Sequence, residues 1–151
     1  MDSSTQIIDL SYLKEMSGNN KDIMIEMVEI FIEQNPEFTE GISNHFKNKQ
    51  WAQLGAIAHK AKSSVRIMGM SELGDCLEKI EHYSKGNKKI ELQNKITDNH
   101  KLDDEDLKIW NNVQNEDIND INLEYIPELV SYFLTQSPKA ISELEKALHE
   151  L

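Results

Sequence analysis

One cysteine, three prolines and six glycines are all that 151 residues contain of the residue types that cross-link or interrupt a chain. The lone Cys76 excludes an internal disulfide and any zinc cage built on cysteines. It also suggests a reducing compartment, the cytoplasm. Aromatic residues are scarce, at 7%, and alternating runs of Val, Ile and Thr are missing, which disfavours a β-sandwich or barrel. No apolar run approaches the roughly 18 residues that cross a bilayer. The opening MDSSTQIIDL has neither the basic start nor the apolar stretch of a secretory signal. Cations are outnumbered: 16 Lys and Arg face 27 Asp and Glu, a formal charge of −11. Phosphate backbones are repelled by such a chain, which argues against nucleic acid as a partner.

What is present is helical periodicity, and residues 1–151 read as a single domain. Asp9 can cap a short helix from Leu10 to Met16. Asn20 is an N-cap for a second helix, with Ile23, Met27, Ile30 and Phe31 on one face. Pro36 predicts a stop or a kink there, after which Phe38, Ile42 and Phe46 resume the stripe. A third helix opens near Gln50 and Trp51. Leu54, Ile57, Ala58, Ala61, Val65 and Met68 line it, and Gly69 follows as a C-cap. Ser71 opens a fourth, with Leu73, Cys76, Leu77, Ile80 and Tyr83 inward, which is expected to end at Ser84, Lys85, Gly86 and Asn87. Residues 98–120 then carry eight carboxylates against two lysines. Residues 86–122 are read as an acidic, partly mobile insertion, partly helical at best. Ile126, Leu129, Val130 and Phe133, then Ile141, Leu144, Leu148 and Leu151, line a closing block, with Pro138 at a bend or at a first helical turn. The expected fold is all-α: an antiparallel four-helix bundle with a short N-terminal helix and a long insertion before the last helix. No heptad seam is evident, so a monomer is expected.

Chemistry concentrates in the third helix. His59 lies one step off the apolar stripe, so its ring should face outward. Its neighbours on that face are Gly55, Lys62, Ser63 and Arg66. Small residues leave the imidazole in a gap, and Lys60, Lys62 and Arg66 form a cationic island on an acidic chain. An exposed imidazole among cations suits the carriage of an anionic group, which those cations can screen. Periodicity alone favours a solvated helix face with an ordinary surface histidine. The other histidines carry less: His45 borders a stripe, His82 and His149 read as surface residues, and His100 lies in the acidic segment. Asp103, Asp104, Glu105 and Asp106 lack EF-hand spacing and read as a solvated acidic run. No His/Glu pair recurs on facing helices, so no metal site is expected. Cys76 reads as inert core.

The segment His59-Lys60-Ala61-Lys62-Ser63-Ser64, with Gly69 beyond it, resembles the motif of the histidine-containing phosphotransfer (HPt) domain, roughly His-x-Leu-Lys-Gly-Ser followed by a Gly. The likeness extends to the run FIEQNPEF, to Trp51, and to Ile126-Pro127-Glu128-Leu129, leaving the acidic insertion aside. The resemblance implies a four-helix bundle in which His59 is phosphorylated by a receiver-domain aspartate and passes the group to another receiver. Lys62 matches the family lysine beside the phosphoryl group, and Ser64 matches the family serine. Ser63 stands where the family has Gly, and its hydroxyl can bond phosphoryl oxygens. Ala61 stands where the family has Leu and points inward.

The sequence holds no G-x-G-x-x-G and no G-x-x-x-x-G-K-[ST], so no nucleotide site is expected. The implied role is a phosphocarrier rather than an enzyme. It needs no cofactor of its own, since Mg²⁺ and the acidic residues belong to the receiver. Implied partners are response-regulator receivers and a hybrid histidine kinase. They would dock on an apolar patch of the second and third helices, with cations at the rim and Gly55, Ser63, Met68 and the helix of Ile32 as contacts. Two rivals are a helical adaptor that binds receivers or kinases without carrying phosphate, and a helical metalloprotein. The start at Met1 favours a complete chain over a module cut from a larger kinase.

Overall fold

The computed structural model describes residues 6–151. They form α1 (Ser11–Met16), α2 (Lys21–Lys47), α3 (Trp51–Ile67), α4 (Ser71–Thr97), α5 (Asp104–Val113) and α6 (Tyr125–Glu150), and no strand occurs among them. The fold is all-helical. α3 packs on α2 and α4, and α6 packs on the same two helices from the other side. The four long helices thus enclose one core, with Phe38, Ile42, Leu54, Leu77, Ile80, Phe133 and Leu144 at its centre, all without exposed surface. No helix among the described residues is long and apolar enough to cross a membrane.

Local chemistry sets several ends. The Asn20 side chain accepts the Ile23 backbone N–H at 3.1 Å and starts α2. The Asp9 carboxylate accepts the Ser11 backbone N–H at 2.9 Å at the start of α1. Gly69 follows α3 with φ +73°, and a Cβ there would run into the backbone carbonyl of Asp9. Left-handed backbone and close approach of the N-terminal segment both require glycine here. Gly69→Ala is therefore expected to cost about 2 kcal/mol or more, since the left-handed penalty alone is ~1–2 kcal/mol. Urea unfolding checks it: a midpoint within error of wild type would contradict this account of the turn.

Three expected helix boundaries are absent: a stop at Pro36, a new start at Pro138 and the end of α4 near residue 87. Pro36 lies inside a continuous α2 and Pro138 inside a continuous α6. Each removes one backbone bond, at ~3 kcal/mol in a helix interior. Buried groups on both sides hold the helices through: Phe31 and Phe38 flank Pro36 with ring centroids 6.4 Å apart, and Ser137 and Ala140 bracket Pro138 in the interior. The buried face of α2 is Met24, Val28, Phe31, Asn35, Phe38 and Ile42. Ile23 and Ile30, expected on that face, are 41% and 50% exposed.

The third correction is larger. α4 does not end at Ser84–Asn87 but runs to Thr97. Gly86 is a contact glycine: Ile121 and Ile118 lie where its side chain would be. Beyond it the helix builds a second small core of Leu92, Leu102 and Val113, with Ile109 and Trp110 against them. The acidic run also has a local purpose. Asp103 caps α5 through the Asp106 N–H at 2.7 Å, and Asp104, Glu105 and Asp106 occupy the first turn, where the helix dipole favours negative charge. α4 therefore continues past the main core to residue 97, and α5 packs back on it.

His82, expected as a plain surface residue, clasps the connection after α5. Its Nδ1 lies 3.3 Å from a Glu116 carboxylate oxygen and its Nε2 lies 3.0 Å from one of Asp120. Lys89 donates to the Glu116 carbonyl at 2.7 Å. Only an imidazolium donates from both nitrogens. The bond to Asp120, then that to Glu116, raises the His82 pKa above its ordinary 6.5 against the opposing effect of burial. A raised folded-state value means that the clasp contributes fully below pH 6.5 and is lost as pH rises through the higher value. Hydrogen-exchange protection across residues 114–124 is expected to fall as pH rises from below 6.5 through the raised His82 value, and His82→Gln removes that dependence. Equal protection at both ends would contradict the clasp.

Candidate functional site

α3 buries Leu54, Gly55, Ala58, Ala61 and Val65 on one face. The small residues in that set bring α3 close against α4. Contacts run in opposite order along the pair: Gly55 meets Ser84 and Lys85, His59 meets Glu81, and Arg66 meets Gly74, Asp75 and Glu78. The two helices are therefore antiparallel. His59 stands off the buried face with its side chain 65% exposed.

The ring is held from one side. Its Nδ1 lies 2.9 Å from Oε2 of Glu81, whose side chain is only 11% exposed. Lys62 donates to the other oxygen, Oε1, at 2.9 Å. Lys85, one turn along α4 from Glu81, donates to Oε2 at 2.6 Å. Burial by itself would raise the Glu81 carboxyl. The bonds and charges of Lys85, then Lys62, outweigh it and hold the group below its ordinary value of 4.5. An ionised carboxylate only accepts, so in the neutral ring Nδ1 carries the proton and Nε2 keeps its lone pair. An exposed nitrogen with a fixed lone pair, a carboxylate behind the ring and a lysine beside it make a nucleophile suited to an anionic electrophile.

The residues expected around His59 separate into three groups. Lys62 converges with it on Glu81. Lys60 turns toward α2 and pairs with Glu37 at 2.7 Å. Arg66 lays its stem over Gly74 and pairs with Asp75 at 3.1 Å and Glu78 at 3.4 Å. The cationic island is thus divided among carboxylates. Ser63 is exposed on the outer face, one turn from His59. Ser64 is half-buried and faces α2, where it lines a shallow groove of about 190 Å³ with Met27, Ile30, Gln34 and Ile67. Gly55 and Met68, expected as docking contacts, are buried. Gly55 faces α4, because a side chain there would crowd the stem of Lys85, and Met68 forms part of the groove floor. Ile32 is half-buried.

Glu81 and Lys85 did not emerge from the sequence as site residues. Their i,i+4 spacing was a signal for a helical ion pair, but the register of α4 on α3 alone places them under His59. Cys76 is buried, its thiol donates to the Leu129 carbonyl at 3.2 Å, and burial pushes its pKa up to about 11. Among the described residues no three His, Cys, Asp or Glu side chains gather as metal ligands.

Residues 26–113 match the family model of the Hpt domain. No curated protein and no solved structure matches the chain. The matched span covers most of α2 and all of α3, α4 and α5, so it includes both His59 and the carboxylate that holds it, and it stops before α6. It also runs through residues 86–113, part of the segment expected to be an insertion. With well over half of the chain inside that match, the protein belongs to the Hpt domain family, whose members take part in histidine phosphotransfer in two-component systems.

Proposed function

We propose that His59 accepts a phosphoryl group from the aspartyl phosphate of one receiver domain and passes it to the aspartate of another. The observation that carries this reading is the exposed ring whose Nδ1 is held by Glu81 at 2.9 Å. In the forward step the Nε2 lone pair forms the N–P bond as the acyl O–P bond breaks, and the aspartate leaves with the electron pair as a carboxylate. The Nδ1 proton stays in place. The ring gains a positive charge, which Glu81 balances. Transfer onward reverses these events with a second aspartate. Lys62 lies close enough to turn toward the phosphoryl oxygens, and Ser63 offers a hydroxyl on the same face.

This chain supplies the nucleophile and a docking surface, and the receiver supplies Mg²⁺ and its acidic residues. Antiparallel packing of the four long helices gives His59 a rigid platform. The receiver settles over α2 and α3, where Ile30 is 50% exposed and the groove beside Ser64 is apolar. A monomeric cytoplasmic carrier without a cofactor of its own fits this role. The test is incubation with a phosphorylated receiver, followed by assay of this chain for an acid-labile, base-stable adduct. Formation of a complex without any adduct would leave the adaptor reading in its place.

A further inference from the structure

We propose that Lys85 is a positioning residue that braces the Glu81 carboxylate against His59 while Lys62 attends to the phosphoryl group. The inference rests on the reading of His59 as the phosphoacceptor. It starts from the division of labour on one carboxylate. Lys62 bonds Oε1, whereas Lys85 shares Oε2 with the His59 ring. His59 and Lys62 face Glu81 from α3 and Lys85 faces it from α4. No other charged side chain among the described residues is bonded to it. An exposed lysine one turn from a glutamate usually contributes little. Here the glutamate is nearly buried, so its counter-charges decide its protonation state.

A second, independent feature points to the same lysine. The α3 position opposite Lys85 is Gly55, one turn before His59. A Cβ there would come within 3.3 Å of Lys85 Cγ and 3.6 Å of Ser84 Cβ. Glycine weakens a helix interior, and what it leaves here is the lane in which the Lys85 stem crosses to the carboxylate. Once a phosphoryl group sits on Nε2, Lys62 has two anions to serve. Lys85 is on the other oxygen, the one the ring uses, so Lys62 can move to the phosphoryl oxygens without leaving a nearly buried carboxylate bare.

The experiment uses the full chain as wild type, Lys85→Met and Lys85→Arg. Side-chain carbon NMR reads the titration of Glu81, and labelling by phosphoramidate, a small N-phosphoryl donor, reads the acceptor rate of His59 against pH. Methionine keeps the length and helix preference of the stem at a position 31% exposed, and circular dichroism verifies the fold. The Glu81 midpoint is expected to rise by about one pH unit or more in Lys85→Met. The labelling rate of His59 should fall with it, and Lys85→Arg should restore both. An unmoved midpoint with normal labelling would overturn the role of Lys85 alone. No label on the wild-type chain, from phosphoramidate or a receiver, would overturn the phosphoacceptor reading, and with it the purpose assigned to Lys85.

Discussion

Replacing His59 by glutamine is expected to abolish phosphoryl acceptance while leaving the helices folded. The side chain is 65% exposed and lies off the buried face of α3, so little packing is lost. Glutamine favours helix and its amide can still donate to Glu81. It lacks the one thing the step requires, a ring nitrogen with an available lone pair. Incubation with a phosphorylated receiver should label wild type and leave His59→Gln at background, with unchanged far-ultraviolet circular dichroism. Label that persists on the variant would move the acceptor to another residue.

The next largest effect is expected at Glu81. Glu81→Gln keeps the size of the side chain and removes its charge. The amide can donate to Nδ1, which favours the tautomer protonated at Nε2 and occupies the lone pair needed for attack. It also leaves the positive charge that develops on the phosphorylated ring unbalanced. Loss of a carboxylate that fixes the tautomer of a reacting imidazole costs up to ~10⁴-fold in a hydrolase triad. A fall of about 10²-fold or more in transfer rate is expected here, with receiver binding retained. A rate within about threefold of wild type would show that Glu81 does not set the ring.

The same substitution carries a pH signature. Glu81 is held below its ordinary value of 4.5, so its contribution to stability is present above that value and disappears as pH falls through the lower folded one. Chemical unfolding should show the stability gap between wild type and Glu81→Gln narrowing as pH drops below 4.5.

Much of this arrangement can be read from residue order. The outward position of His59 follows from the spacing of Leu54, Ala58, Ala61 and Val65 on α3, because a helix face is a local property. The positive turn at Gly69 is local as well. What fails to show are quantities set by packing between helices. Pro36, Pro138 and Gly86 look like breaks because their intrinsic cost is visible in sequence. Phe31 and Phe38, Ser137 and Ala140, and Ile121, which compensate for that cost, become neighbours only in the fold. The cations around His59 look like one island for the same reason. Their carboxylates Glu37, Asp75, Glu78 and Glu81 arrive from α2 and α4. The stripe of α2 is shifted by one position because Ile23 and Met24 are both apolar, and only the position of α3 and α6 decides which one is covered.

Phosphorus–nitrogen correlation NMR on ¹⁵N-labelled chain, after exposure to a phosphorylated receiver, tests the central claim most directly. The phosphorus is expected to couple to Nε2 of His59, with the proton retained on Nδ1 against Glu81. Coupling to Nδ1, a phosphate on any other side chain, or no bound phosphorus from a competent receiver would contradict the account.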